Sequence, residues 1–237
     1  MDTNEQRLNH IRDNIAGIMD KIDVTAKKVG RTSDSIKVVG VTKNRSVQEI
    51  ETAIKSGITD IGENRIQEAE KKIPKITGHY EAFHFIGHLQ SNKINKLMTL
   101  NPAFIHSIDS IQTAEKLNRY LEQQDKVQSV LVQVNCSGEE SKYGLADDYA
   151  LIEDFVCKLN RFKSINLKGL MTIAAFTNDE RKIRLCFIKL REHFELLNRQ
   201  GVVVEPMNIL SMGMSNDYLI AIEEGSNMVR IGSSIFE

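Results

Sequence analysis

The chain has 237 residues, 41% hydrophobic and 27% charged, with 31 Lys and Arg against 32 Asp and Glu, for a formal net charge of −1 at pH 7. That near-neutral balance excludes a global attraction for nucleic acid or an acidic membrane surface, so any anion site has to be local. The three cysteines, Cys136, Cys157 and Cys186, are far apart and form no CxxC pair, which excludes a disulfide framework and a zinc knuckle and points to a reducing compartment.

The N-terminus is polar and no apolar stretch follows it, so no signal peptide is expected. The longest apolar runs, such as Val202-Val203-Val204, are far too short to span a bilayer. The expected location is the cytoplasm.

Residues 4–29 predict an amphipathic helix, with Leu8, Ile11, Ile15, Ile18, Met19 and Ile22 recurring at three- and four-residue steps and Gly30 as its stop. Beyond it the pattern alternates. Short β-branched or aromatic runs predict strands at 36–41, 58–61, 82–86, 104–108, 130–134, 167–172, 208–211 and 228–231. Helical periods lie between them at 47–56, 65–72, 111–122, 149–160 and 181–199, and are least marked after the third and last strands. Eight βα units in a chain of this length predict one (β/α)₈ barrel domain over 1–237, with the first helix packed against it. An open doubly wound sheet is the alternative.

In such a barrel, functional groups stand at the C-terminal ends of the strands. Lys43 directly follows the first strand. At the barrel mouth, partial desolvation would favour its neutral amine and suit it to Schiff-base chemistry, whereas a solvated strand-end lysine would do nothing. The seventh strand runs into Ser211-Met212-Gly213-Met214-Ser215-Asn216-Asp217, where Ser215 is the expected N-cap of the next helix. The eighth runs into Arg230-Ile231-Gly232-Ser233-Ser234. Glycines and hydroxyls in these two slots predict a phosphate cradle.

His84 and His88 are four residues apart, but the segment reads as a strand and Phe85 stands where a metalloprotease helix needs Glu. No metal is expected. A neutral His84 lining the barrel mouth is the reading instead, and His106 is treated the same way. The stretch from Gly138 to Gly144 reads as a polar loop, or as a mobile rim that carries Lys142.

Several stretches together resemble the YggS/PROSC family of pyridoxal 5′-phosphate (PLP) homeostasis proteins, whose fold is similar to the N-terminal barrel of alanine racemase. They are Val39-Gly40-Val41-Thr42-Lys43, Gly62-Glu63-Asn64-Arg65, His84-Phe85-Ile86-Gly87-His88, Ser141-Lys142-Tyr143-Gly144, Gly169-Leu170-Met171-Thr172, Ser211-Met212-Gly213-Met214-Ser215 and Arg230-Ile231-Gly232-Ser233-Ser234. The resemblance implies PLP held as a Schiff base on Lys43. It implies phosphate contacts from Ser211, Met212, Gly232 and Ser233, Arg230 facing the pyridine nitrogen, and Asn64, His84 and Met171 lining the ring. Where the family often has a second lysine followed by proline, this chain has Arg45 and Ser46, and a guanidinium cannot form a Schiff base.

An arginine opposite the ring nitrogen leaves that nitrogen unprotonated and the electron sink weak. No second catalytic base is evident, and the β-rich second domain of alanine racemase has no counterpart. The expected role is therefore a monomeric, non-catalytic PLP carrier or buffer in vitamin B6 homeostasis, with PLP and apo PLP-dependent enzymes as partners. A slow amino-acid racemase and a Schiff-base lyase of the aldolase type are the alternatives.

Overall fold

The computed structural model describes residues 3–237. Nine strands form in chain order: β1 (Lys37–Val41), β2 (Asp60–Glu63), β3 (Ala82–Phe85), β4 (Phe104–Ile108), β5 (Gln128–Asn135), β6 (Leu145–Ala146), β7 (Ile165–Met171), β8 (Ile209–Met214) and β9 (Met228–Ile231). All pairings are parallel. The order β1-β2-β3-β4-β5-β7-β8-β9 closes on itself through β9–β1, and two-residue β6 adds to the end of β5. The result is the closed eight-stranded barrel expected from the alternating pattern, with β6 as the one addition.

The helices are α1 (Thr3–Lys28), α2 (Val47–Lys55), α3 (Ile66–Lys72), α4 (Ile94–Met98), α5 (Ile111–Gln123), α6 (Tyr149–Leu159), α7 (Glu180–Arg199), α8 (Tyr218–Glu223) and α9 (Ser233–Phe236). The two helices with the faintest periodicity are the short ones, α4 and α9. None of the helices is long and apolar enough to cross a membrane, among the described residues.

Six of the eight barrel strands differ from their expected bounds by one to three residues, and two of these differences bear on the site. β2 begins at Asp60 because Ile58 is used below the strand, buried among α1 and the outer face of β1. β8 runs on to Met214, with its pairing to β9 shifting between Ser211 and Met214. Gly213 sits in that irregularity at φ +94, where an added Cβ would come within 2.5 Å of Ala221 Cβ. α8 then starts at Tyr218, so Ser215 is not its N-cap.

Successive residues in a strand face opposite sides, and here the two sides differ in chemistry. Phe83, Phe85, Val130, Val132, Leu210 and Met212 join the layer between strands and helices. On the same outer side, at β1 and β9, Val38, Val229 and Ile231 meet Ile11, Ile15, Ile18 and Ile22 of α1, while the inward side carries polar groups such as His84 and Arg230. The 4-3-4 spacing of those isoleucines is one stripe of a 3.6-residue helix, which is why α1 lies flat on the barrel. Ile22 is fully buried in this seam. Ile22→Ala should cost about 2–5 kcal/mol through lost transfer energy and a residual cavity, read as a lower urea midpoint at unchanged slope.

Candidate functional site

The C-terminal mouth of the barrel opens into a cavity of about 1000 Å³. Its wall includes Lys43, Arg45, Lys142, Ser215, Arg230, Gly232 and Ser233. Four cationic side chains against Glu180, Asp217 and Glu237 make it a local basic site on a near-neutral protein.

Lys43 follows β1, and Asn44 takes a left-handed turn at φ +58 that ends the strand. Lys43 is exposed, and among the described residues its amine has no hydrogen-bond or ion-pair partner. The desolvation expected at the mouth is therefore not provided by the protein alone. Extending the β1–β2 register from Val41↔Gly62 by two residues puts Asn64 level with Lys43. Asn64 Oδ1 is the one buried side-chain polar atom among the described residues that has no partner. Orphaned buried acceptors are rare in folded proteins, so a donor from water or ligand is expected there, although Asn64 is absent from the cavity wall.

Below Lys43 lies a cluster that sequence reasoning missed. Glu63 is 1% exposed and accepts from Asn64 N at 2.9 Å and Lys72 Nζ at 2.8 Å, with Thr42 Oγ1 at 3.2 Å. Lys72 also donates to Thr42 O at 2.9 Å and Glu68 Oε2 at 2.8 Å, and Glu68 Oε2 accepts from Asn44 N at 3.1 Å. The segments that carry Lys43 and Asn64 are thus tied together by one buried ammonium. The only trace of this in the sequence is the four-residue step from Glu68 to Lys72.

At the end of β9, the strand beside β1, Ser215 Oγ accepts from Gly232 N at 3.1 Å and Ser234 N at 3.3 Å. The expected phosphate residues separate here. Gly232 and Ser233 line the cavity. Ser211 and Met212 do not, because β8 is longer than expected and both lie within the strand. Ser211 is fully buried with its hydroxyl facing Arg230, and Met212 packs outward among the helices. Ser215 stands where those two were expected.

Arg230, on β9, is 3% exposed and donates to Ser211 Oγ at 2.7 Å and Thr172 O at 2.8 Å. Burial pulls its guanidinium down to about 10, still far above neutrality, so it stays charged, and Asp217 acts in the opposite direction. Burial also pushes the Asp217 carboxyl up, against the hydrogen bond from Met214 N and the charge of Arg230.

His84 is not at the mouth. It is fully buried in the barrel interior and bonded to Asp60, at the N-terminal end of β2. Met171 is 1% exposed and is also absent from the cavity wall. Arg45, in the second-lysine position, pairs with Glu237 and lies over the Phe236 ring at 5.4 Å. On the rim, Lys142 donates to Glu139 Oε1 at 2.9 Å and Ala174 O at 2.6 Å, and Glu139 Oε1 accepts from Phe176 N at 2.9 Å. These contacts pin the loop after β5 to the loop after β7.

Fold and site together define a class: a parallel barrel whose first strand leads into a free lysine, beside a neighbouring strand that carries a buried arginine and ends in a cluster of backbone N–H groups. The alanine racemase N-terminal domain family matches residues 8–237. A pyridoxal phosphate homeostasis protein of Vibrio alginolyticus is 36% identical over 233 residues, 97% of each chain. A protein of Bifidobacterium adolescentis superposes with a TM-score of 0.91 at 37% identity, covering 100% of this chain and 97% of the other. PipY of Synechococcus elongatus, solved with PLP bound, superposes at 0.80 with 26% identity, covering 96% of this chain and 100% of PipY. This chain belongs to the alanine racemase N-terminal domain family and, within it, to the pyridoxal phosphate homeostasis proteins.

Proposed function

We propose that the chain holds PLP as a Schiff base on Lys43 and acts in vitamin B6 homeostasis as a reversible carrier or buffer, delivering PLP to apo-enzymes in the cytoplasm as a monomer. The observation that carries this is the unpartnered Lys43 amine on the wall of a cavity that also holds an anion cradle, at the end of the neighbouring strand β9. The residues present fit the group. The N–H groups of Gly232 and Ser234, now satisfied by Ser215 Oγ, are the donors a phosphate would take, with the Ser215 and Ser233 hydroxyls beside them. Asn64 Oδ1 is an acceptor awaiting a donor.

Bound PLP supplies an aldehyde for an amine and an electron sink. Arg230 cannot accept a proton and holds its charge in place, so it would leave a facing ring nitrogen unprotonated and the sink weak. That favours holding over turnover.

The test is the visible absorbance of purified protein with added PLP, followed by borohydride reduction and peptide mass mapping. A yellow protein with the label fixed on Lys43, and no such label in Lys43→Ala, is expected. A label scattered over surface lysines would sink the reading. Lys43-dependent turnover of a D- or L-amino acid would replace the carrier role with a racemase.

A further inference from the structure

Barrels of this architecture are usually filled with layers of branched aliphatic side chains. This one carries a line of polar groups through its interior. Lys37 Nζ lies 2.9 and 2.8 Å from the two Asp60 carboxylate oxygens at the N-terminal end. Asp60 Oδ1 is 2.7 Å from His84 Nε2, and His84 Nδ1 is 2.9 Å from His106 Nε2. His106 Nδ1 is 3.1 Å from Ser211 Oγ, which is 2.7 Å from Arg230 Nη1 at the mouth. From Asp60 to Arg230, no member is more than 4% exposed. The line joins five strands and comes into being only when the barrel closes.

One assignment of donors satisfies the whole line. A guanidinium only donates, so Ser211 Oγ accepts from Arg230, and in this assignment it gives its own proton to His106 Nδ1. His106 then carries its proton on Nε2 and donates to His84 Nδ1. His84 in turn carries its proton on Nε2 and donates to the Asp60 carboxylate. Every group is then satisfied once, and all the bonds run from the mouth toward Asp60. Burial, with the Arg230 charge nearby, holds His106 well below the usual histidine range, in keeping with a neutral ring.

We infer that Asp60, His84 and His106 are positioning residues for Arg230. With Ser211 they form a directional relay that fixes the guanidinium against Ser211 and Thr172 and so sets how it faces the mouth. The relay deepens the PLP reading and rests on it where Arg230 meets the ring. Neither histidine touches the cavity, so both act only through Arg230. A buried network fixes geometry only while every member is satisfied, so one missing link should be felt at the far end.

The test pairs two variants with two readouts. Gln can accept from Ser211 and donate to His84, whereas Leu can do neither. In His106→Leu, PLP should bind about tenfold or more weakly. The visible band of bound PLP, and the pH at which it titrates, should shift, while saturating PLP still labels Lys43. His106→Gln should restore most of both effects. Ser211→Ala, which removes a single hydroxyl, gives the same reading if His106→Leu does not fold. Independently of PLP, nitrogen NMR of the unliganded protein should show neutral His84 and His106, each protonated on Nε2. Unchanged affinity and spectrum in His106→Leu or Ser211→Ala, or His106 protonated on Nδ1, would overturn the relay. Correct tautomers without a Lys43 label in the wild type would instead overturn the PLP reading and leave the relay standing.

Discussion

Lys72→Met should be among the most damaging single changes in this protein, at about 3–5 kcal/mol, although Lys72 lies on a short helix and its pattern marks nothing special. Among the described residues its ammonium is the only cation bonded to Glu63, and Glu63 is 1% exposed. Removing it leaves a carboxylate that cannot rehydrate, held by two backbone N–H groups and the Thr42 hydroxyl. The loss should also reach the site, because the same ammonium donates to Thr42 O, one residue before Lys43. Chemical denaturation would measure the stability. Borohydride labelling at a temperature where the variant stays folded would show a lower PLP affinity at Lys43. A double variant, Lys72→Met with Glu63→Gln, should recover part of the stability but not the loop contact. If the single variant is as stable as wild type, the ion pair contributes only as a surface pair would.

Most of the architecture was legible because parallel strands covered on both faces are written as short apolar runs with turn residues between them. All eight barrel strands lie where those runs stand. The same property hides the site. When both faces of a strand are buried, period-two alternation no longer says which residues point into the barrel. Ser211 and Met212 read as one phosphate-binding pair, yet one faces inward to Arg230 and the other outward to the helices. The extent of β8 decided this, since a strand that ends at Met214 moves the mouth from Ser211 to Ser215.

That Lys43, Arg230, Gly232 and Ser233 stand at the mouth cavity was legible because each follows or ends a strand. His84 was misplaced for the opposite reason. Its strand was correct, but its depth depends on partners at sequence distances of 22 and 24 residues, which no local pattern records. Arg45 illustrates a third case. That it could not repeat the chemistry of a lysine followed from its side chain, while its contacts with Glu237 and Phe236 required the closed barrel.

Asp60 carries the second large expectation, and it has a pH signature. Burial alone would raise its carboxyl, but hydrogen bonds from His84 and Lys37 outweigh that and leave it below the ordinary aspartate value. A carboxyl lowered by folding binds fewer protons in the native state than in the unfolded chain. Its contribution is therefore complete above the unfolded value of about 4 and is lost as pH falls through the lower folded value. Asp60→Ala should cost about 2–4 kcal/mol at pH 7. That is toward the lower side of a broken buried pair because Lys37, with its side chain 41% exposed, can turn to water, whereas the fully buried His84 Nε2–H cannot. The gap between wild type and variant in urea denaturation should be constant from pH 7 to about 5 and narrow below about 4, with wild type losing stability faster. A gap that widens on acidification would mean that Asp60 is protonated in the native protein. The hydrogen bond to His84 would then run in the other direction, both histidines would carry their protons on Nδ1, and Ser211 Oγ would accept from His106 as well as from Arg230.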